Sequence, residues 1–224
     1  MSTSAFHRAT ITSISTGTVR QLLVRCENYQ FQCGQYTLIK LPGGLQIPLS
    51  IASSPHTLPQ LAFHYRSTPG YPEAEAFDAL LQQTLPIEVS ISNPQGDVIT
   101  PLHSEDLLVV AAGTGAAQAF ASTSWRGQHG LATTTVRFCV DEHDNYAQPE
   151  LASIVGSTVY SFVDAVPGDN QEGLAWLNDH PLDSYATILL CGGPDFVYAM
   201  TDLLEARGVP SSRMHSDVYS YAPR

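Results

Sequence analysis

Residues 106–112, DLLVVAA, form a short run that is almost wholly apolar and stops at Gly113-Thr114-Gly115. A strand with one wet face alternates apolar and polar residues, so an unbroken run of this kind needs cover on both faces. The flanking pattern supplies the cover. Small and helix-favouring residues follow at 116–123, further strand candidates stand at 133–140, 156–163 and 186–190, and helical patterns occupy 174–180 and 196–207, the last stopped by Gly208. Apolar strands alternating with helices predict a parallel sheet with helices on both faces.

The first hundred residues read differently. Short, roughly alternating runs at 10–15, 18–26, 35–41, 49–52, 60–65 and 87–92 are separated by Pro42-Gly43-Gly44, Pro55, Pro59, Pro69-Gly70 and Pro94-Gln95-Gly96. Short strands with frequent turn residues predict a β-barrel or sandwich. One helix is expected at 72–83, where Ala, Glu and Leu dominate. The change of pattern falls near residues 100–105, so the expected domains are 1–102 and 103–224, each large enough for its own core.

Charge and cysteine usage narrow the function classes. The net charge of -11 offers no basic patch to displace phosphate counterions, so nucleic acid and anionic membrane surfaces are not expected partners. Cys26, Cys33, Cys139 and Cys191 have no C-x-x-C spacing, which argues against an iron–sulfur cluster or zinc knuckle and reads as isolated buried thiols in a reducing compartment. The N-terminal residues carry no apolar core of a signal peptide, and no stretch approaches membrane-spanning length, so a soluble cytoplasmic protein is expected. The eight histidines do not cluster along the chain, and Asp141, His143 and Asp144 read as a solvated polar loop, so no metal site is expected. Ser122, Ser124 and Ser161 lack the G-x-S-x-G context of a serine hydrolase, and Glu73 and Glu75 fall on different faces of their helix.

Three motifs carry chemistry. Gly113-Thr114-Gly115 stands between an apolar strand and a helix, where glycine permits close approach to a pyrophosphate and the helix N-terminus favours an anion; the same turn also serves any α/β domain. Cys191-Gly192-Gly193-Pro194 follows the strand ATILL, and both turns lie at strand carboxyl ends, where ligands of open parallel sheets bind. Cys191 is either a thiol beside that ligand or a small core residue. The third motif, PLSIASSP at 48–55, offers three serine hydroxyls in a strand and turn.

These segments together resemble the ferredoxin-reductase family. IPLSIASSP is similar to its R-P-[YFL]-S-[IL]-A-S-[ST]-P flavin strand, VVAAGTGAAQAFAS to its L-I-A-G-G-T-G-x-[AT]-P nucleotide loop, and LLCGGPDFVYAM with the residues after it to its C-G-P-x-x-M segment and last strand. FQCGQY at 31–36 matches the F-x-x-G-Q-[YF] entry to the barrel, so the resemblance covers nearly the whole chain, with a size close to the short bacterial NAD(P)H:flavin reductases. It implies an antiparallel Greek-key β-barrel that binds flavin (FAD, FMN or riboflavin), followed by a parallel-sheet α/β domain that binds NADH or NADPH. The implied activity is hydride transfer from the nicotinamide to the flavin, which leaves reduced or passes electrons to a protein acceptor. Ser50 would hydrogen-bond the flavin near N5, with Leu49, Ile51, Ala52 and Ser53 around the ring. Gly113, Thr114 and Gly115 would hold the nucleotide, with Cys191 and Gly192 near the nicotinamide. Tyr219 and Tyr221 either border the flavin or serve as core aromatics.

The chain departs from the family pattern at three positions. The arginine before P-[YFL]-S is Ile47, the proline of the nucleotide loop is Gln118, and the arginine after the next strand is Val140. A phosphate contact of about 1.5–3 kcal/mol is lost with the first, and Arg66 is the nearby candidate to replace it. Asp141 and Glu142, beside Val140, would repel a 2′-phosphate and favour NADH. The rival expectation is a descendant with an eroded cofactor grip, serving as a binding or regulatory subunit.

Overall fold

The computed structural model describes residues 6–96, 106–164 and 170–224. The expected domain boundary at 102/103 and His103 lie outside the described residues. Strands β1 (Phe6–Ile14), β2 (Val19–Arg25), β3 (Tyr36–Lys40), β4 (Gln46–Ser50), β5 (Gln60–Arg66) and β6 (Ile87–Ser92) form one antiparallel sheet in the order β4-β3-β6-β1-β2-β5. A bridge between Ile51 and Phe63, with the Ala52 N–H donating to the Ala62 carbonyl at 2.8 Å, draws the end of β4 onto β5 and nearly closes the barrel. The placing of β6 between β3 and β1 gives the non-sequential order of a Greek key. Ile11, Leu22, Ile39, Leu61, Phe63 and Ile91 are fully buried inside it. Burial of each such side chain is worth about 1.5–3 kcal/mol. Helix α1 (Pro72–Leu80) plugs Phe77 against the Tyr65 ring, centroids 4.8 Å apart.

The second sheet contains β7 (Leu107–Ala112), β8 (Thr133–Cys139), β9 (Ser157–Val163), β10 (Thr187–Cys191) and β11 (Met214–His215), all parallel, in the order β11-β10-β7-β8-β9. Helices α2 (Ala116–Gln128), α3 (Gln148–Ser153), α4 (Gln171–Asp179), α5 (Pro194–Ala206) and α6 (Val218–Tyr221) connect or follow the strands. Leu108 and Val110 of β7 join a core with Val197, Met200 and Leu204 of α5, while Leu107, Val109 and Ala111 pack with Ala119 of α2. The unbroken apolar run thus belongs to a central strand covered on both faces. The chain steps outward from β7 to β8 to β9, then returns to lay β10 on the other side of β7. Strand order reverses between β7 and β10, so their carboxyl ends flank a crevice.

Several element limits differ from the sequence reading. Strand β4 covers Gln46–Ser50, not 49–52, so Ser50 ends the strand. Pro48 is tolerated within it because β4 is an edge strand that pairs only with β3. Helix α1 stops at Leu80, α2 runs on to Gln128, and α3 was not anticipated. The segment read as a solvated polar loop is a 3-10 turn, Glu142–Ala147, in which Asp144 is fully buried. All four cysteines are free and buried. Among the described residues, no helix is long and apolar enough to cross a membrane.

Candidate functional site

A cleft of about 230 Å³ lies between the two sheets, lined by Ser50, Thr114, Gly115, Gly192, Asp217 and Tyr221 among others. Ser50 arrives at the carboxyl end of β4, Thr114 and Gly115 from the turn after β7, and Gly192 from the turn after β10. A cavity of about 370 Å³ shares Ser50, Asp217 and Tyr221 and extends over Tyr36, Leu38 and Pro48. A third, of about 290 Å³, reaches Ile47 and Leu49 on the alternate side of β4, together with His64, Arg66 and Thr114.

The two glycine turns have different reasons for lacking side chains. A Cβ on Gly115 would stand 2.3 Å from the Cys191 carbonyl oxygen, so the two turns pack backbone against backbone. Gly113 adopts φ +53° and a Cβ there would meet nothing within 4 Å; the same open space lies over Gly193. The turns therefore present a cradle that side chains would fill, at a strand-to-helix junction where α2 has no side-chain cap.

Asp217, absent from the sequence reading, lines both the cleft and the adjoining cavity. Gln118 donates from Nε2 to its Oδ2 at 2.8 Å. Burial raises the Asp217 carboxyl above the ordinary range, and the Gln118 hydrogen bond opposes that shift only in part. Gln118, noted in the sequence only as a lost proline, is thus the residue that orients Asp217. The one available signal was an acidic residue beside the last strand, in the segment SDVY.

The other expected site residues divide. Cys191 is fully buried behind the cleft among Leu107, Val109, Ala111, Ala119 and Leu189. Burial, helped by the Asp217 charge, holds its thiol well above the usual range and therefore neutral. Tyr221 lines the cleft, whereas the Tyr219 hydroxyl bonds Thr201 Oγ1 at 2.7 Å and its ring packs near Tyr198. Ile51 and Ala52 are buried, and Ser53 Oγ accepts the Ala62 N–H at 3.1 Å, so these three secure the join between β4 and β5. Asp141 is exposed at the end of β8, where it accepts the Asp144 N–H at 3.0 Å. Arg66 borders the third cavity and is ion-paired with Asp144.

That ion pair belongs to a polar cluster joining β5 to the turn after β8. His64 is 6% exposed, with Nδ1 2.8 Å from the Tyr146 hydroxyl. Burial, reinforced by the nearby Arg137 charge, lowers its pKa from 6.5 to about 4, so the imidazole is neutral. Arg137 is fully buried, lies 5.5 Å from the Tyr146 ring centre, and donates to the Asp144 carbonyl.

No protein-family model and no curated protein matches the sequence. Solved structures do share the fold. A cytochrome P450 reductase of Amycolatopsis superposes with a TM-score of 0.79 at 21% identity, over 96% of this chain and 70% of that one. A ferredoxin NADP+ reductase of Neisseria gonorrhoeae with bound FAD and NADP gives 0.78 at 14%, over 95% and 98%. The flavohaem-like FAD/NAD-binding domain of a nitric oxide dioxygenase of Vibrio cholerae gives 0.78 at 16%, over 94% and 97%. The chain therefore has the two-domain fold of the ferredoxin reductases, an antiparallel barrel followed by a parallel α/β sheet.

Proposed function

We propose that the chain is an oxidoreductase that carries reducing equivalents from a nicotinamide nucleotide to a flavin. The observation carrying this reading is the single cleft in which Ser50, from the end of β4, faces both glycine turns at the reversal point of the parallel sheet. When bound, the nucleotide supplies a hydride and the flavin ring accepts it. The work left to the chain is orientation. Ser50 offers its hydroxyl to the ring, Leu49 and residues 51–53 shape the strand end beside it, and Tyr36 and Tyr221 give the adjoining cavity aromatic walls. Gly113, Thr114, Gly115 and Gly192 hold the nucleotide, with the open space over Gly113 and Gly193 fitting a phosphate-bearing ligand. Burial raises the Asp217 carboxyl above the usual carboxylate range, so it takes up a proton at Oδ1 or Oδ2 more readily than a surface carboxylate does. Cys191 supports Gly115 from beneath, and Tyr219 fixes the segment that presents Tyr221.

FAD is the flavin favoured by the folds compared above, two of which are described with FAD in their names; FMN and riboflavin are the alternatives. Exposed Asp141 and Glu142 at the end of β8 favour NADH over NADPH. A flavin reduced in this cleft would leave or pass electrons to a protein acceptor. A second reading, a binding or regulatory subunit, is favoured by one specific arrangement. Ile47 supplies no charge, and the Arg66 guanidinium already pairs with Asp144. Without a replacement, flavin phosphate loses about tenfold to hundredfold in affinity.

Titration of the purified chain with FAD, FMN and riboflavin, read by fluorescence quenching, tests the first reading, alongside flavin-dependent NADH oxidation. Ser50→Ala is expected to lower turnover by about tenfold or more with little change in Tm. Unchanged turnover removes Ser50 from the reaction. If neither flavin nor NADH raises Tm, the redox reading fails, because a ligand bound only by the folded state must stabilise it.

A further inference from the structure

The eight histidines are scattered along the sequence, yet two of them meet in the fold. His56 sits in the 3-10 turn Pro55–Thr57 of the barrel, and His129 caps the carboxyl end of α2 in the α/β domain. Both are exposed, and their ring centres stand 5.4 Å apart with planes tilted by 45°. We propose that this pair is a binding site for a divalent transition-metal ion that bridges the two domains.

The spacing suits a shared ion. A metal–Nε2 bond of about 2.0–2.1 Å plus a ring radius of about 1.2 Å sets each ring centre about 3.2 Å from the metal, so two tetrahedrally disposed rings have centres about 5.2 Å apart.

The hydrogen bonds behind each ring fix the tautomer that ligation needs. His129 Nδ1 lies 2.7 Å from the Trp125 carbonyl oxygen, which can only accept, so Nδ1 carries the hydrogen and Nε2 the lone pair. For His56 the argument runs through Ser54, which is 1% exposed. Ser54 Oγ donates its one hydrogen to Gln128 Oε1 at 3.1 Å, and accepts the His56 backbone N–H at 3.4 Å. His56 Nδ1, 3.1 Å from the same oxygen, must therefore donate, which again leaves the lone pair on Nε2. A ring N–H anchored on an oxygen behind the metal-facing nitrogen is the support that metal-bound histidine receives. Trp125 stacks on His129, centroids 3.7 Å apart and planes within 21°, and steadies that ring further.

Among the described residues no group of three or more His, Cys, Asp or Glu could hold a metal ion. Water completes the coordination, and two imidazoles select Cu²⁺, Ni²⁺ or Zn²⁺ over Mg²⁺ or Ca²⁺, with Cu²⁺ held most tightly. The bound ion ties the Ser54 turn to the end of α2 and so stabilises the seam between the domains. This site is independent of the cleft and of its redox chemistry.

The untagged full chain, titrated with Zn²⁺ and Ni²⁺ salts in a calorimeter, is expected to bind one ion per chain saturably. At a hundredfold excess over the dissociation constant, Tm rises by about 5–10 °C. His56→Ala, a change at an exposed position, weakens binding at least about tenfold and abolishes the Tm rise; His129→Gln does the same while keeping a side chain over Trp125. Absence of saturable binding by the natural chain overturns the proposal. Undiminished binding by folded His56→Ala also overturns it, since the ion then sits elsewhere.

Discussion

Acidification from pH 7 to pH 5 is expected to weaken the contact between β5 and the turn after β8, through His64. That imidazole is neutral in the folded protein, bonded to the Tyr146 hydroxyl at 2.8 Å and edge-on to the Phe120 ring at 5.2 Å. The Arg137 guanidinium disfavours its protonation, and the Arg66–Asp144 ion pair joins the same two elements. Burial lowers its folded pKa from 6.5 to about 4, so between those values the unfolded chain binds more protons than the folded one. Stability from this group is therefore complete above pH 6.5 and is lost as pH falls toward 4. The loss is about 2 kcal/mol at pH 5 and about 3 kcal/mol by pH 4. Urea denaturation at pH 7 and pH 5, on the natural chain and on His64→Asn, isolates the effect. The asparagine amide keeps a hydrogen-bonding group toward Tyr146 and does not titrate. The natural chain should lose about 2 kcal/mol more than the variant between the two pH values. Equal losses would refute the argument, because His64 would then titrate alike in both states.

Gly115→Ala forces a Cβ to within 2.3 Å of the Cys191 carbonyl, a backbone atom that cannot rotate away. A loss of about 3 kcal/mol is expected, at the top of the overpacking range, read as a fall in Tm. Gly193→Ala is the contrasting case. Its φ is -69° and its Cβ meets nothing, so Tm holds while the methyl group intrudes on the cradle and weakens NADH binding. Arg66→Ala leaves the Asp144 carboxylate, 1% exposed, without its ion-pair partner. A cost of about 3–5 kcal/mol follows, measurable by the same denaturation.

Much of the fold was legible because its signals are local. Residues 106–112 lack polar alternation, and that alone required cover on two faces, which α2 and α5 supply. Gly113-Thr114-Gly115 and Cys191-Gly192-Gly193 marked strand ends, and strand ends are where ligands meet such a sheet. The errors fell where local pattern was silent. Asp144 sits among polar neighbours in sequence, as a solvated residue would, yet it is buried and ion-paired with the half-buried Arg66 of β5. Tyr219 and Tyr221 look interchangeable, but the short helix α6 turns one toward Thr201 and the other toward Ser50.

The order of residues by itself determined a β-barrel or sandwich followed by a parallel sheet, and the two glycine turns beside which a nucleotide could lie. Periodicity and turn chemistry act over a few residues, so they can be read without neighbours. Only the tertiary structure decided what those turns face. Gln118 and Asp217 are 99 positions apart, and His64 and Tyr146 are 82 apart. The first meeting follows from how the elements of the α/β domain pack on one another, the second from how the two domains pack. Packing at these two levels fixes the burial, charge and hydrogen bonding that give Asp217 a raised pKa, His64 a lowered one, and the His56–His129 pair its common seam.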